Sequence, residues 1–154
     1  MRRIGIALLS ILFLSGCGGG ASAHRAEPVL TGFTCDISGT YRGEAVAGHL
    51  TRSGAGLLRL TVDEPTAMTM EWSGGAVTLS LGSLSVPVDP DTLPAGSLGG
   101  CLLDALDKAQ SAGLIGSGKN GAYALAADPK TGYVQKLSIP SLETELVFQN
   151  VNLL

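Results

Sequence analysis

Between Phe33 and Phe148 apolar residues return at every second position, in short runs closed by turn residues. A period of two sends successive side chains to opposite faces, so each run buries one face and wets the other only as a strand. Phe33, Cys35 and Ile37 share one face, with Thr34, Asp36 and Ser38 on the other. Tyr41 to Thr51 reads as a further strand, weakened by Gly43 and Gly48. Leu58, Leu60 and Val62 alternate with Arg59, Thr61 and Asp63 until Glu64-Pro65, where a residue without a backbone N–H ends the ladder. Met68, Met70 and Trp72 form the next inward set, and Ser73-Gly74-Gly75 signals a hairpin to Val77, Leu79 and Leu81. Leu84, Val86 and Val88 extend or bend that strand past Gly82.

The period then changes. After the loop Asp89-Pro90-Asp91-Thr92-Leu93-Pro94, Leu98, Leu102, Ala105 and Ala109 recur at helical spacing, widened by Leu103 and Leu106. This predicts one amphipathic helix from about Ala95 to Ala112, with Asp104, Asp107 and Lys108 on its polar side and Gly113 as its C-cap. A glycine-rich loop over 113–121 follows. Strands resume at Tyr123 and Leu125, turn through Asp128-Pro129-Lys130-Thr131-Gly132, and continue with Tyr133, Gln135, Leu137 and Ile139. Thr144, Leu146 and Phe148 point inward in the last strand. The expected fold is α+β: an antiparallel meander of seven or eight strands, curved around a single helix.

Composition narrows the function classes. The 154 residues suit one domain, and a net charge of −3 lacks the basic face that nucleic acid requires. Three Cys and two His are too few for a zinc cluster, so no metal or cofactor is expected. His24 falls in a patternless polar stretch and reads as solvated. His49 reads as a strand residue with no evident carboxylate partner.

The N-terminus fixes where the chain is expected to reside. Arg2 and Arg3 precede an uncharged apolar run, Ile4 to Leu14, which as a helix reaches about 16 Å, half a bilayer core. That is the length of a signal-peptide apolar region. Leu14-Ser15-Gly16-Cys17 resembles the lipobox of bacterial lipoproteins. The resemblance implies a diacylglyceryl group on Cys17, cleavage before it, and anchoring on the extracytoplasmic side of the cell membrane, or on an outer membrane where one exists. Two acyl chains suffice for stable anchoring. The expected organisation is a leader over 1–16, a lipidated N-terminus and flexible tether over 17–30, and one globular domain over 31–154.

Export also permits a disulfide, and Cys35 and Cys101 remain once Cys17 carries lipid. A bridge and a pair of buried thiols are both compatible with the sequence.

The globular part resembles the LolA/LppX-like half-barrel. The likeness rests on the lipobox, the strand ending Val62-Asp63-Glu64-Pro65, the hairpin from Met68 to Leu81, and the single helix followed by strands joined at Asp128 to Gly132. It implies a curved sheet with a helical lid around an apolar cavity, carrying a lipid or acyl chain without catalysis. Met68, Met70, Trp72, Leu79, Leu81, Leu102 and Leu106 are the expected lining. With one Trp and three Phe the interior could instead be filled, which would suit a structural or protein-interaction lipoprotein. An apolar cavity of roughly 300 Å³ or more separates the two readings in favour of a ligand.

Several motifs are decoys. Gly113 to Asn120 nearly matches a phosphate-binding loop, but Asn120 replaces the hydroxyl residue and a helix precedes it where a strand is needed. Asp89 and Asp91 supply too few oxygens for calcium. Glu143 and Glu145, at a spacing of two, read as a solvated strand face, and Asp104 and Asp107 as solvated helix residues. An extracellular hydrolase would need a nucleophile–base pair, which the sequence does not reveal.

Overall fold

A computed structural model describes residues 25–64, 66–94 and 96–154. Cys17, with the leader and lipobox, lies outside the described residues, as do His24, Pro65 and Ala95.

The alternating runs become one antiparallel sheet of ten strands. In chain order these are β1 (Phe33–Tyr41), β2 (Glu44–Gly54), β3 (Leu57–Glu64), β4 (Met68–Ser73), β5 (Ala76–Leu81) and β6 (Leu84–Val88), then, after the helix, β7 (Ile115–Gly118), β8 (Gly121–Ala127), β9 (Val134–Ile139) and β10 (Thr144–Leu153). Across the sheet the order is β6-β5-β4-β3-β2-β1-β10-β9-β8-β7. Every neighbour but one is also a neighbour in sequence. The exception is β1 against β10, which puts the first and last strands at the centre and leaves β6 and β7 as the two edges.

The strand count exceeds the expected seven or eight for two reasons. Leu84–Val88 does not extend the strand before it. It folds back at Gly82, in the left-handed region at φ 59°, and pairs with β5 from Leu81↔Leu84 to Val77↔Val88. Within the glycine-rich loop, Ile115–Gly118 pairs with β8. Both added strands are edge strands.

The one α-helix among the described residues, α1 (Leu98–Ala112), connects those edges. It starts later than the expected Ala95 because Ser97 caps it, its Oγ accepting the Gly100 N–H at 3.2 Å. Gly113 ends it, its N–H donating to the Ala109 carbonyl. The expected stripe is the buried face: Leu98, Cys101, Leu102, Ala105, Leu106 and Ala109 enter the same core as Phe33, Leu50, Leu60, Leu137 and Leu146. Gly99 sits against the Trp72 ring, where a Cβ would overlap the aromatic carbons.

Residues 26–30, counted in the tether from sequence, run along the β8–β9 turn. The Ala26 N–H donates to the Pro129 carbonyl at 2.9 Å, the Val29 N–H to the Gly132 carbonyl at 2.8 Å, and Val29 forms a parallel bridge with Tyr133. Gly132 allows this approach, because a Cβ there would strike the Glu27 carbonyl. The turn itself is tied by Asp128, whose Oδ1 accepts the Lys130 and Thr131 N–H groups at 2.8 and 2.9 Å.

Candidate functional site: an apolar cleft under the entrance to the helix

Core packing leaves an apolar opening at the entrance of α1. Beyond Trp72, between the sheet and the segment Leu93–Leu98, opens a cleft of about 430 Å³. Its floor is the inward parity of four strands: Val46 on β2, Val62 on β3, Met68 and Met70 on β4, and Leu79 on β5. Leu93, Pro94 and Leu98 form its roof. Tyr41, Arg42, Glu44 and Ser97 supply the polar groups at its rim.

The expected lining residues divide between cleft, wall, core and surface. Met68, Met70 and Leu79 line the cleft. Trp72 is a wall: it presses on Gly99 and faces a separate, more polar hollow with Asp104 and Asp107. Leu102 and Leu106 do not line it, being fully buried in the packed core under the helix. Leu81 is exposed near the β6 edge, on a ledge with Leu84 and Val86. Parity found the floor. The roof and rim come from loop residues, for which alternation carries no signal.

The rim is built around a strained turn. Arg42 and Gly43 both occupy left-handed conformations, at φ 53° and 78°, forming the two-residue bend between β1 and β2. Gly or Asn is preferred at the first of these positions, and an arginine there bears strain. The Arg42 guanidinium stacks 5.5 Å from the centre of the Tyr41 ring, and its Nη2 donates to the Gly96 carbonyl at 3.3 Å. The Tyr41 hydroxyl donates to the same carbonyl. Burial pushes that hydroxyl above its ordinary range, so it remains a donor near neutral pH. These contacts hold the segment entering the helix over the cleft.

Several polar residues have partners the sequence did not reveal. Arg52 is fully buried, and its Nη2 pairs with Asp107 on the helix, so Asp107 is not simply solvated. Asp107 also accepts the Gly56 N–H at 3.2 Å, and Arg52 Nε donates to the Leu30 carbonyl at 3.4 Å. The signal was available: Arg52 has the inward parity of Val46, Gly48 and Leu50, and a charge inside needs a carboxylate. Asp104 Oδ2 accepts the Lys119 N–H at 2.7 Å, within the near-match to a phosphate loop. Glu143 sits in a left-handed bend before β10, so it does not share a strand face with Glu145, which pairs with Lys136 at 2.6 Å.

His49 does have a carboxylate partner, contrary to expectation. On the outer face of the sheet, its Nδ1 lies 2.9 Å from Asp36 Oδ1, directly opposite on β1, and its Nε2 lies 2.8 Å from Thr34 Oγ1. Asn150 Nδ2 donates to the other Asp36 oxygen at 2.7 Å, and this bond, then the one to His49, holds the carboxyl below its ordinary range. The array orders hydroxyl, imidazole and carboxylate as acyl-transfer enzymes do. An oxyanion needs free backbone donors, whereas β1 is paired on both sides, with β2 and β10. We read the array as a polar ladder that secures the central strands.

Cys35 and Cys101 are both buried free thiols. Burial pushes each up to about 12, and Cys101 Sγ donates to the Leu98 carbonyl at 3.1 Å. Among the described residues no group of three His, Cys, Asp or Glu side chains is set to hold a metal ion. No protein-family model and no curated protein matches this chain.

Proposed function

We propose that the chain is a lipid-anchored extracytoplasmic lipoprotein that binds an apolar ligand, such as an acyl chain, without catalysis. The observation that carries the reading is the cleft: about 430 Å³, floored by Met68, Met70, Leu79, Val46 and Val62. That volume falls within the roughly 300–1,000 Å³ of small-molecule sites and exceeds the size that separates a binder from a filled core. Two methionines in the floor add adaptability, because an unbranched thioether repacks around different chains. On this reading the sheet curls around α1 as a half-barrel, and the helix entrance acts as the lid.

The anchor and the cleft would lie at opposite ends of β1. The segment from the tether joins β1 at Phe33, whereas the rim begins at Tyr41, about 27 Å away along a strand of nine residues. A protein held through Cys17 would then present its cleft away from the attached end.

Two measurements test the two halves of the reading. Labelled palmitate fed to cells should appear in the denatured protein and be lost in Cys17→Ser; equal labelling of both forms would rule out anchoring at that residue. A neutral fluorophore, N-phenyl-1-naphthylamine, should saturate one site on the chain. Met68→Glu and Leu79→Glu, both at half-buried positions, should abolish that binding while circular dichroism is unchanged. Unaltered binding in both variants would show that the cleft is not the site.

A further inference from the structure

We infer that the ligand is a single-chain amphiphile with an anionic head, its chain laid across the strands from the cleft to the β6 ledge and its head held by Arg42. The inference rests on the apolar-ligand reading and adds the ligand's chemical class and orientation. Three observations converge on it.

First, the apolar floor does not stop where the roof ends. Met70 is paired in register with Leu79, and Leu79 with Val86 on β6, so one row of apolar side chains runs from β4 to the sheet edge. The neighbouring pair Leu81↔Leu84 flanks it. Leu84 is 61% exposed, and Leu81 and Val86 are each 42% exposed. From Val46 on β2 to Val86 on β6 the trough crosses four strand intervals, about 19 Å at the usual spacing. A long, narrow apolar strip matches an extended hydrocarbon chain better than a compact ring system.

Second, the other end of the trough carries a cation. Of the five N–H donors on the Arg42 guanidinium, the Gly96 carbonyl takes one and the Tyr41 hydroxyl another, which leaves donors open for an anion. Among the described residues no carboxylate lies within ion-pair range of it. The guanidinium fork fits a carboxylate or a phosphate with two parallel hydrogen bonds. Glu44 at the rim and Glu143, whose Oε2 stands beside Gly43, are opposing charges that disfavour an anion there.

Third, Arg42 occupies a position that turn geometry would give to Asn or Gly. Strained residues cluster at ligand clamps and active sites, where the strain serves the site.

The test compares hexadecanoate with hexadecan-1-ol, which share a chain and differ in the head. Each displaces N-phenyl-1-naphthylamine from the full chain carrying Cys17→Ser, and from its Arg42→Asn and Glu44→Gln derivatives. The parent should bind the acid about tenfold more tightly than the alcohol, the effect of a charged hydrogen-bonded pair at a partly open rim. Arg42→Asn should erase that preference, bringing the acid-to-alcohol affinity ratio to about one, because Asn suits the turn but offers no fork to a carboxylate. Glu44→Gln should widen the preference. Equal affinity for the two compounds in the parent, or an unchanged ratio in Arg42→Asn, overturns the assignment of the head while leaving an apolar site in place. Displacement by neither compound overturns the apolar-ligand reading as well.

Discussion

Gly99 shows how closely single atoms are matched in this core. The Trp72 ring occupies the space a Cβ would need, so Gly99→Ala forces either the indole or the helix to move. We expect a loss of about 1–3 kcal/mol, the usual cost of overpacking, read as a lower denaturation midpoint with an unchanged slope. The two thiols yield a second expectation. Each sits near pKa 12 because burial disfavours its thiolate, so iodoacetamide at pH 8 should label neither Cys35 nor Cys101 in the folded chain and both in denaturant. The ordinary thiol value is about 9. A thiol ionises more readily unfolded, so its contribution to stability is full below that value and declines as pH rises toward 12. Rapid labelling of the native chain would contradict the burial.

At the scale of elements, the buried Arg52–Asp107 pair locks the helix to β2. Removing one partner leaves a buried charge unpaired, which commonly costs ~3–5 kcal/mol, and the partial exposure of Asp107 reduces this to about 2–3 kcal/mol for Asp107→Ala. Replacing both residues, as in Arg52→Met with Asp107→Leu, should restore most of that loss in chemical denaturation. A double variant as unstable as the single one would show that the charge is not the cause. The Asp128 turn holds the incoming N-terminal segment in a different way. Its carboxyl is kept below the ordinary range by the Thr131 and Lys130 N–H groups. Its stabilising effect is therefore present above the unfolded value of about 3.8 and lost as pH falls through the lower folded value. The protection factor of the Val29 amide against hydrogen exchange should fall over that acidic window, and Asp128→Asn should remove that fall.

Eight of the ten strands were legible because each repeats its apolar face at least twice, and the helix because its stripe spans about three turns. β6 and β7 were not. Leu84-Ser85-Val86-Pro87-Val88 alternates, but its proline and short length let it read as a tail of β5, and Ile115-Gly-Ser-Gly has a single apolar residue. The central pairing of β1 with β10 joins residues more than a hundred apart, and no local pattern encodes a partner at that separation. His49 looked unpartnered because its carboxylate, Asp36, stands opposite on the neighbouring strand, and strand parity gives the face of a residue but not the register of its pair. Leu102 and Leu106 were expected to line a cavity because alternation and helical stripes reveal which face is inward, but not where the inward face is left unfilled.

For the whole molecule, the Arg52–Asp107 pair ties the middle of the helix to β2. The entrance of the helix, held by Tyr41 and Arg42 through the Gly96 carbonyl, roofs an apolar cleft that continues onto exposed Leu81, Leu84 and Val86. A soluble surface rarely leaves such a strip uncovered without a use. The most direct test of the central claim is a native mass spectrum of the protein extracted from the cells that make it, repeated after exposure to hexadecanoate. The account predicts an added mass, lost on denaturation in organic solvent, equal to one single-chain amphiphile. A bare polypeptide in the first spectrum, with no uptake in the second, would contradict it.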